Sequence, residues 1–130
     1  MTIDMELFSY YWQLVQSHGW PVYDHLPPQG QPVQYPFVMI GEIDTTSGGD
    51  KSALSGKVNL TIDVWGKRED RPTVSQIANG IFLASIGALR TQHFTFVGQK
   101  DAQQVQLMTD TSVANTVFFR GMVSIELTIQ

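Results

Sequence analysis

Lys57-Val58-Asn59-Leu60-Thr61-Ile62-Asp63-Val64-Trp65 decides the fold class. Val58, Leu60, Ile62 and Val64 fall on one side of an extended chain, and Lys57, Asn59, Thr61, Asp63 and Trp65 fall on the other. That period of two belongs to a β-strand with one face in a core. Upstream, Phe37, Val38, Met39 and Ile40 are apolar on both faces and alternation resumes around Ile43, so residues 37–44 read as an antiparallel partner. Residues 45–55, Thr-Thr-Ser-Gly-Gly-Asp-Lys-Ser-Ala-Leu-Ser, join the two. A connection this much longer than the usual two to five hairpin residues is expected to carry function, to be mobile in the free protein and to order against a partner.

Downstream, residues 66–72 form a charged turn, and Pro72 suits the first turn of a helix read through Val74, Ile77, Ala78, Ile81, Phe82, Ile86 and Leu89. Residues 94–97 and 105–110 read as short strands. Residues 116–130 alternate throughout, with Val117, Phe119, Gly121, Val123, Ile125, Leu127 and Ile129 on one face. At ~3.3 Å per residue that strand spans roughly 45 Å. Either Gly121 marks a bulge or the strand outruns its own sheet and pairs with another copy.

At the other end, residues 3–17 place Leu7, Phe8, Tyr11, Leu14 and Val15 on one helical stripe, with Asp4 and Glu6 in the first turn and Gly19 and Pro21 beyond the last. The proline-rich residues 20–32 form a connector with a short edge strand around Val22 and Tyr23. The expected fold is a single α+β domain, 1–130. It has a mostly antiparallel β-sheet of four to five strands with two α-helices packed on one face, in the order α-β-β-α-β-β-β.

Composition excludes more than it proposes. The chain has 130 residues, 42% hydrophobic and 15% charged, a folded composition. Its net charge of −4 argues against a phosphate-coating, nucleic-acid-binding surface, and its lack of cysteine removes disulfides and thiol chemistry. No basic, apolar leader opens the sequence, and no apolar run approaches the ~20 residues of a membrane span. The charge is unevenly spread: residues 1–50 hold Asp4, Glu6, Asp24, Glu42, Asp44 and Asp50 with no Lys or Arg, whereas all eight bases follow residue 50. A chain of that kind can set an acidic surface against a neighbour's basic one. The alternative is a mixed surface on one interleaved fold.

Catalytic and binding motifs are not expected. Gly48-Gly49-Asp50-Lys51-Ser52 resembles the end of a phosphate loop, but Asp50 stands where glycine is needed. His18, His25 and His93 lack ligand spacing, so no metal or cofactor is expected, and Asp24-His25 reads as a solvated pair. No nucleophile elbow is present, and Asp63 and Glu126 read as solvated strand residues. Trp12, Trp20, Trp65 and Tyr35 read as core or interface rather than as a base-stacking platform. Trp65, Phe118 and Met122, however, lie on nominally exposed strand faces, where large apolar side chains meet either a partner or a covering helix.

Tyr35-Pro36-Phe37-Val38-Met39-Ile40-Gly41-Glu42, the Gly/Ser-rich loop, residues 58–66 ending in Val-Trp-Gly, and residues 67–73 leading into a helix together resemble the tail-completion or tail-terminator proteins of long-tailed bacteriophages and prophages. The likeness covers essentially the whole chain. It implies a non-enzymatic structural virion component that caps the tail tube, ends its polymerisation and presents the surface that joins the head. It also implies a ring, typically a hexamer, whose partners are other copies of itself, the tail tube protein and a head-completion or connector protein, with neither nucleic acid nor membrane bound directly. Its place would be the tail–head interface of the virion, and the host cytoplasm during assembly. Other neck, minor capsid or head–tail connector proteins are the nearest alternative, and a small ligand-binding module is a more distant one. The assembly-interface candidates are Ser47, Gly48, Gly49, Asp50, Lys51 and Ser52 on the loop, Lys67, Arg68 and Arg71 toward a neighbour's acidic patch, and Trp65, Phe118 and Met122 on the outer sheet face.

Overall fold

The computed structural model describes residues 1–25, 33–47, 56–114 and 116–130. Helix α1 (Ile3–Ser17) leads into the two-residue strand β1 (Val22–Tyr23), the long hairpin of β2 (Phe37–Ser47) and β3 (Gly56–Lys67), and helix α2 (Arg71–Ala84) after a 3-10 turn at Arg68–Asp70. Strands β4 (Gly87–Arg90), β5 (Thr95–Gly98), β6 (Gln104–Asp110) and β7 (Phe118–Ile129) complete a seven-stranded sheet.

Strands β3 and β7 form its spine, paired antiparallel over twelve residues from Gly56 opposite Ile129 to Lys67 opposite Phe118. The alternation read from the sequence follows from that register. Val58, Leu60, Ile62 and Val64 share one buried face with Phe119, Val123, Ile125 and Leu127, and both helices pack there through Leu7, Tyr11 and Val15 of α1 and Val74, Ile77, Ala78 and Ile81 of α2. Close approach is possible because Gly121 lies under α2, where an added Cβ would come 3.1 Å from Ala78 and 3.3 Å from Val74. Gly121 therefore permits helix packing on an unbroken strand, rather than marking a bulge.

Several boundaries differ from expectation. Strand β2 runs on to Ser47, so Thr45, Thr46 and Ser47 pair with Val58, Lys57 and Gly56 instead of beginning a loop. The bulge lies in β2: the register shifts between Ile40 and Ile43, so Gly41 and Glu42 together oppose Thr61. A Cβ on Gly41 would lie 2.8 Å from the Thr61 carbonyl oxygen, which is why glycine stands there. The shift restores the core side to Ile43, which packs against the cluster.

Helix α2 ends at Ala84, and Ile86 and Leu89 do not belong to it. The chain turns at Gly87, whose φ of +94° L side chains rarely adopt, and Leu89 is buried in β4 opposite Phe96 instead. Seven strands replace the expected four to five because β4 and β1 add to them. Strand β1 pairs parallel to β2 through Val22 and Tyr23.

Strands β5 and β6 share one edge of β7, β6 along Phe118–Ser124 and β5 along Leu127–Ile129. The gap at Glu126 is closed by a side chain. Gln103 accepts from the Glu126 N–H at 3.1 Å and donates to the Glu126 carbonyl at 3.0 Å, copying the bonds of a strand residue. Beside it, Ser85 donates to the Ile81 carbonyl at 2.8 Å and bonds the Tyr11 hydroxyl at 2.8 Å, tying α1 to the end of α2 inside the core.

The N-terminal turn of α1 is anchored by Glu6, a buried carboxylate that accepts from the His93 N–H at 2.9 Å and pairs with His93 Nδ1 at 2.8 Å. Burial pushes this carboxyl up, but the bonds from the His93 amide and ring and from Thr91 outweigh it and hold it at about 2 against an ordinary 4.5. A depressed acid contributes stability that is present above pH 4.5 and lost as pH falls toward 2. Glu6→Gln is therefore expected to lower the melting temperature at pH 7, with the gap from the parent closing between pH 4.5 and 2. A gap constant over a melting series from pH 7 to 2 would contradict this.

Candidate functional site

The sheet face opposite the helices is formed by Phe37 and Met39 of β2, Asp63, Trp65 and Lys67 of β3, and Phe118, Arg120 and Met122 of β7, aligned by register: Phe37 opposite Trp65, Trp65 opposite Arg120, and Asp63 opposite both Met39 and Met122. Neither helix reaches this face. Its aromatic side chains cover one another instead. The Tyr23 and Phe37 rings meet at 5.1 Å, Phe37 and Tyr35 at 5.4 Å, Tyr35 and Phe118 at 5.7 Å, and Phe118 and Trp65 at 6.3 Å. Offset and edge contacts of this kind are worth roughly 0.5–1.5 kcal/mol each beyond the area they bury. Phe37 is buried by them, while Trp65, Phe118 and Met122 keep part of their surface in water.

A salt bridge lies beneath the aromatic layer. Arg120 contacts the same Asp63 oxygen through Nη2 at 2.8 Å and Nε at 3.0 Å, and its guanidinium lies 4.8 Å over the Trp65 ring. Asp63 is 5% exposed, which corrects its reading as a solvated strand residue. Burial raises its carboxyl above the ordinary value and Arg120 only partly opposes this. Glu126, the other carboxylate singled out on a strand, is half-exposed and 3.3 Å from Lys57. Nearby, an open depression of about 390 Å³ is lined by Glu42, Asp44, Asn59, Thr61 and Ser124.

The basic candidates divide between the two faces. Lys67 lies 5.7 Å over the Tyr35 ring at the outer face, Arg71 lies 5.0 Å over the core-facing Phe119, and Arg68 is exposed in the 3-10 turn. Ser47 ends β2, and Gly48, Gly49, Asp50, Lys51 and Ser52 lie outside the described residues. Asp24 and His25 form an exposed pair. Among the described residues no group of three or more His, Asp or Glu side chains is placed to hold a metal ion, and no helix is long and apolar enough to cross a membrane.

The sequence's charge asymmetry survives in the fold only in part. Asp4 of α1 and Glu42 and Asp44 of β2 lie on or beside the β2 edge, while Arg68 and Arg71, which follow β3, have Glu69 and Asp70 between them and Lys100 is followed by Asp101. The same fold occurs in a virion. A chain in the structure described as "Virion of native gene transfer agent (GTA) particle" superposes with a TM-score of 0.67 at 19% identity, over 98% of this chain and 93% of that one. At that identity the similarity is one of fold. No family model and no curated protein matches the chain.

Trp65, Phe118 and Met122, read from the sequence as lying on the exposed faces of their strands, share one face of the sheet. The sequence reading missed Arg120 as the group that organises them, and Tyr35 and Phe37 as their cover. Opposite charges at Asp63 and Arg120, both on the polar side of a long alternating strand, were the available signal, but only the pairing register brings them together.

Proposed function

We propose that this chain is a structural subunit of a long-tailed phage or prophage particle. In this reading it caps the tail tube, ends its polymerisation and offers the surface that joins the head, acting as a ring of identical copies. The observation that carries the reading is the fold shared, nearly end to end, with a chain of a gene transfer agent virion. The sequence resemblance to tail-terminator proteins supplies the finer role, and the acidic residues gathered beside the β2 edge suit a head-to-tail contact with a basic patch of the next copy, one that closes by rotation. The outer face fits a structural part as well: its buried carboxylate is tied to Arg120 and its aromatic groups to one another.

Electron microscopy with mass measurement in solution tests the ring directly, and loss of the chain from an assembling particle tests the cap. Without a cap the tube has no stop, so tails of uncontrolled length are expected; tails of normal length would overturn the role. Reversing Lys67, Arg68 and Arg71 to Glu is expected to weaken ring formation and flatten its salt dependence. Unchanged assembly across a salt series would remove these residues from the contact.

A further inference from the structure

Of the strand edges without a partner strand among the described residues, the two longest lie on opposite sides of the sheet. On one side, β1 covers β2 only at Val38 and Met39, leaving the edge of residues 41–47. On the other, β6 pairs with β7 alone, leaving its outer edge along Gln104–Asp110. Each is seven residues long. The strand directions alternate from β2 through β3 and β7 to β6, so a second copy continuing the sheet would set its β2 antiparallel to this β6.

The side chains agree with that continuation. Beside the β2 edge, on the helix side, is an apolar groove of about 280 Å³ lined by Met5, Phe8, Gly41 and Ile43 with Asp4 at its rim. Met5 is 55% exposed. On β6 the helix side is carried by Leu107, which is 39% exposed although it packs beside Gly121. We propose that β6 of one copy adds to the β2 edge of the next, with Leu107 opposite Ile43 and seated in the Met5–Phe8 groove. This rests on the ring reading above and names its contact. On the β2 side stand Asp4, Glu42 and Asp44; on the β6 side Arg71, lying over Phe119, is the base beside the last residues of the strand, which itself ends in Asp110. The contact is heterologous, so it closes into a ring or runs on as a filament, and it removes the two longest exposed edges, which otherwise invite indiscriminate pairing.

The absence of cysteine makes the test clean. Ile43→Cys with Leu107→Cys in one chain, and separately Asp44→Cys with Gln106→Cys, sample adjacent cross-strand pairs, one of which is of the closely spaced kind a disulfide can bridge. Mild oxidation is expected to give a covalent ladder from one of these double variants, and dimers only from a mixture of the corresponding single variants. Leu107→Glu is expected to keep its circular dichroism and melting behaviour while raising the concentration for half-assembly at least about tenfold. Oligomers that sediment normally yet cross-link in neither double variant would overturn the edge contact and leave the ring standing. A protein that stays monomeric at every concentration would overturn both. Cross-linking by a single-cysteine variant alone would mean a symmetric contact and refute the head-to-tail one. A Leu107→Glu protein that oligomerises normally but is not incorporated into tails would assign the edge to a different protein.

Discussion

Gly98→Ala is expected to destabilise the protein by about 3 kcal/mol or more, at the upper end of what one inserted methyl group costs. Gly98 closes β5 against Leu127 of β7, and the carbonyl of Ser85 passes directly over it. A Cβ there would lie 1.8 Å from that oxygen and 2.9 Å from Gln103 Nε2. Neither atom can step aside cheaply. Ser85 is held by the end of α2 and by Tyr11, and Gln103 is held by the two Glu126 bonds that bridge β5 and β6. Pushing either away would open the junction where both helices and three strands meet. Gly80 is the control, since it lies inside α2 and a Cβ would meet only the Trp20 ring at an ordinary 3.6 Å. There alanine is expected to stabilise by roughly 0.5–1 kcal/mol through helix propensity. Urea unfolding of both variants checks the pair, and equal effects would refute the steric account.

That junction shows where sequence pattern stops being informative. Helix α1, β3 and β7 could be read because each holds one period along most of its length, and the period itself comes from burial on one side. Strand β4 could not. Leu89 falls at helical spacing from Ile81 and Phe82, and only the positive φ of Gly87 separates the two elements. Gln103 acts as a strand residue through its side chain, which no propensity encodes. The bulge at Gly41 likewise follows from the Thr61 carbonyl, twenty residues further along the chain.

The candidate surface was legible to the same extent. Trp65, Phe118 and Met122 stood out because large apolar side chains occupied polar positions of an alternating pattern. The choice between a covering helix and a partner was left open, and the structure takes neither course in full: Tyr35 and Phe37 fold over the face from β2 and the segment before it. The edges of β2 and β6, in contrast, were invisible. An edge is defined by what a strand fails to pair with, and this becomes known only when the whole order of strands is known. The sequence hinted at them only indirectly, through the absence of Lys and Arg from its first 50 residues.

Arg120→Ala is expected to cost about 3 kcal/mol at neutral pH, because it leaves a buried carboxylate without its counter-charge and removes the cation stacked on Trp65. The pH dependence distinguishes this from simple loss of packing. In the parent, Asp63 already has its proton affinity raised by burial, so ionising it disfavours the folded state as pH rises through the folded value. Without Arg120 that affinity rises further. The variant should therefore be closest to the parent in acid, where Asp63 is protonated in both, and should fall behind as pH climbs past the parent's own folded value, which burial sets above the ordinary 3.8. Asp63→Asn in the Arg120→Ala background removes the charge and is expected to recover stability at pH 7 but not in acid. A double-mutant cycle of melting curves at pH 3.5 and 7 measures both effects. If Asp63→Asn gave no recovery at pH 7, Arg120 would be acting through its stacking on Trp65, and the aromatic layer rather than the ion pair would set the shape of the outer face.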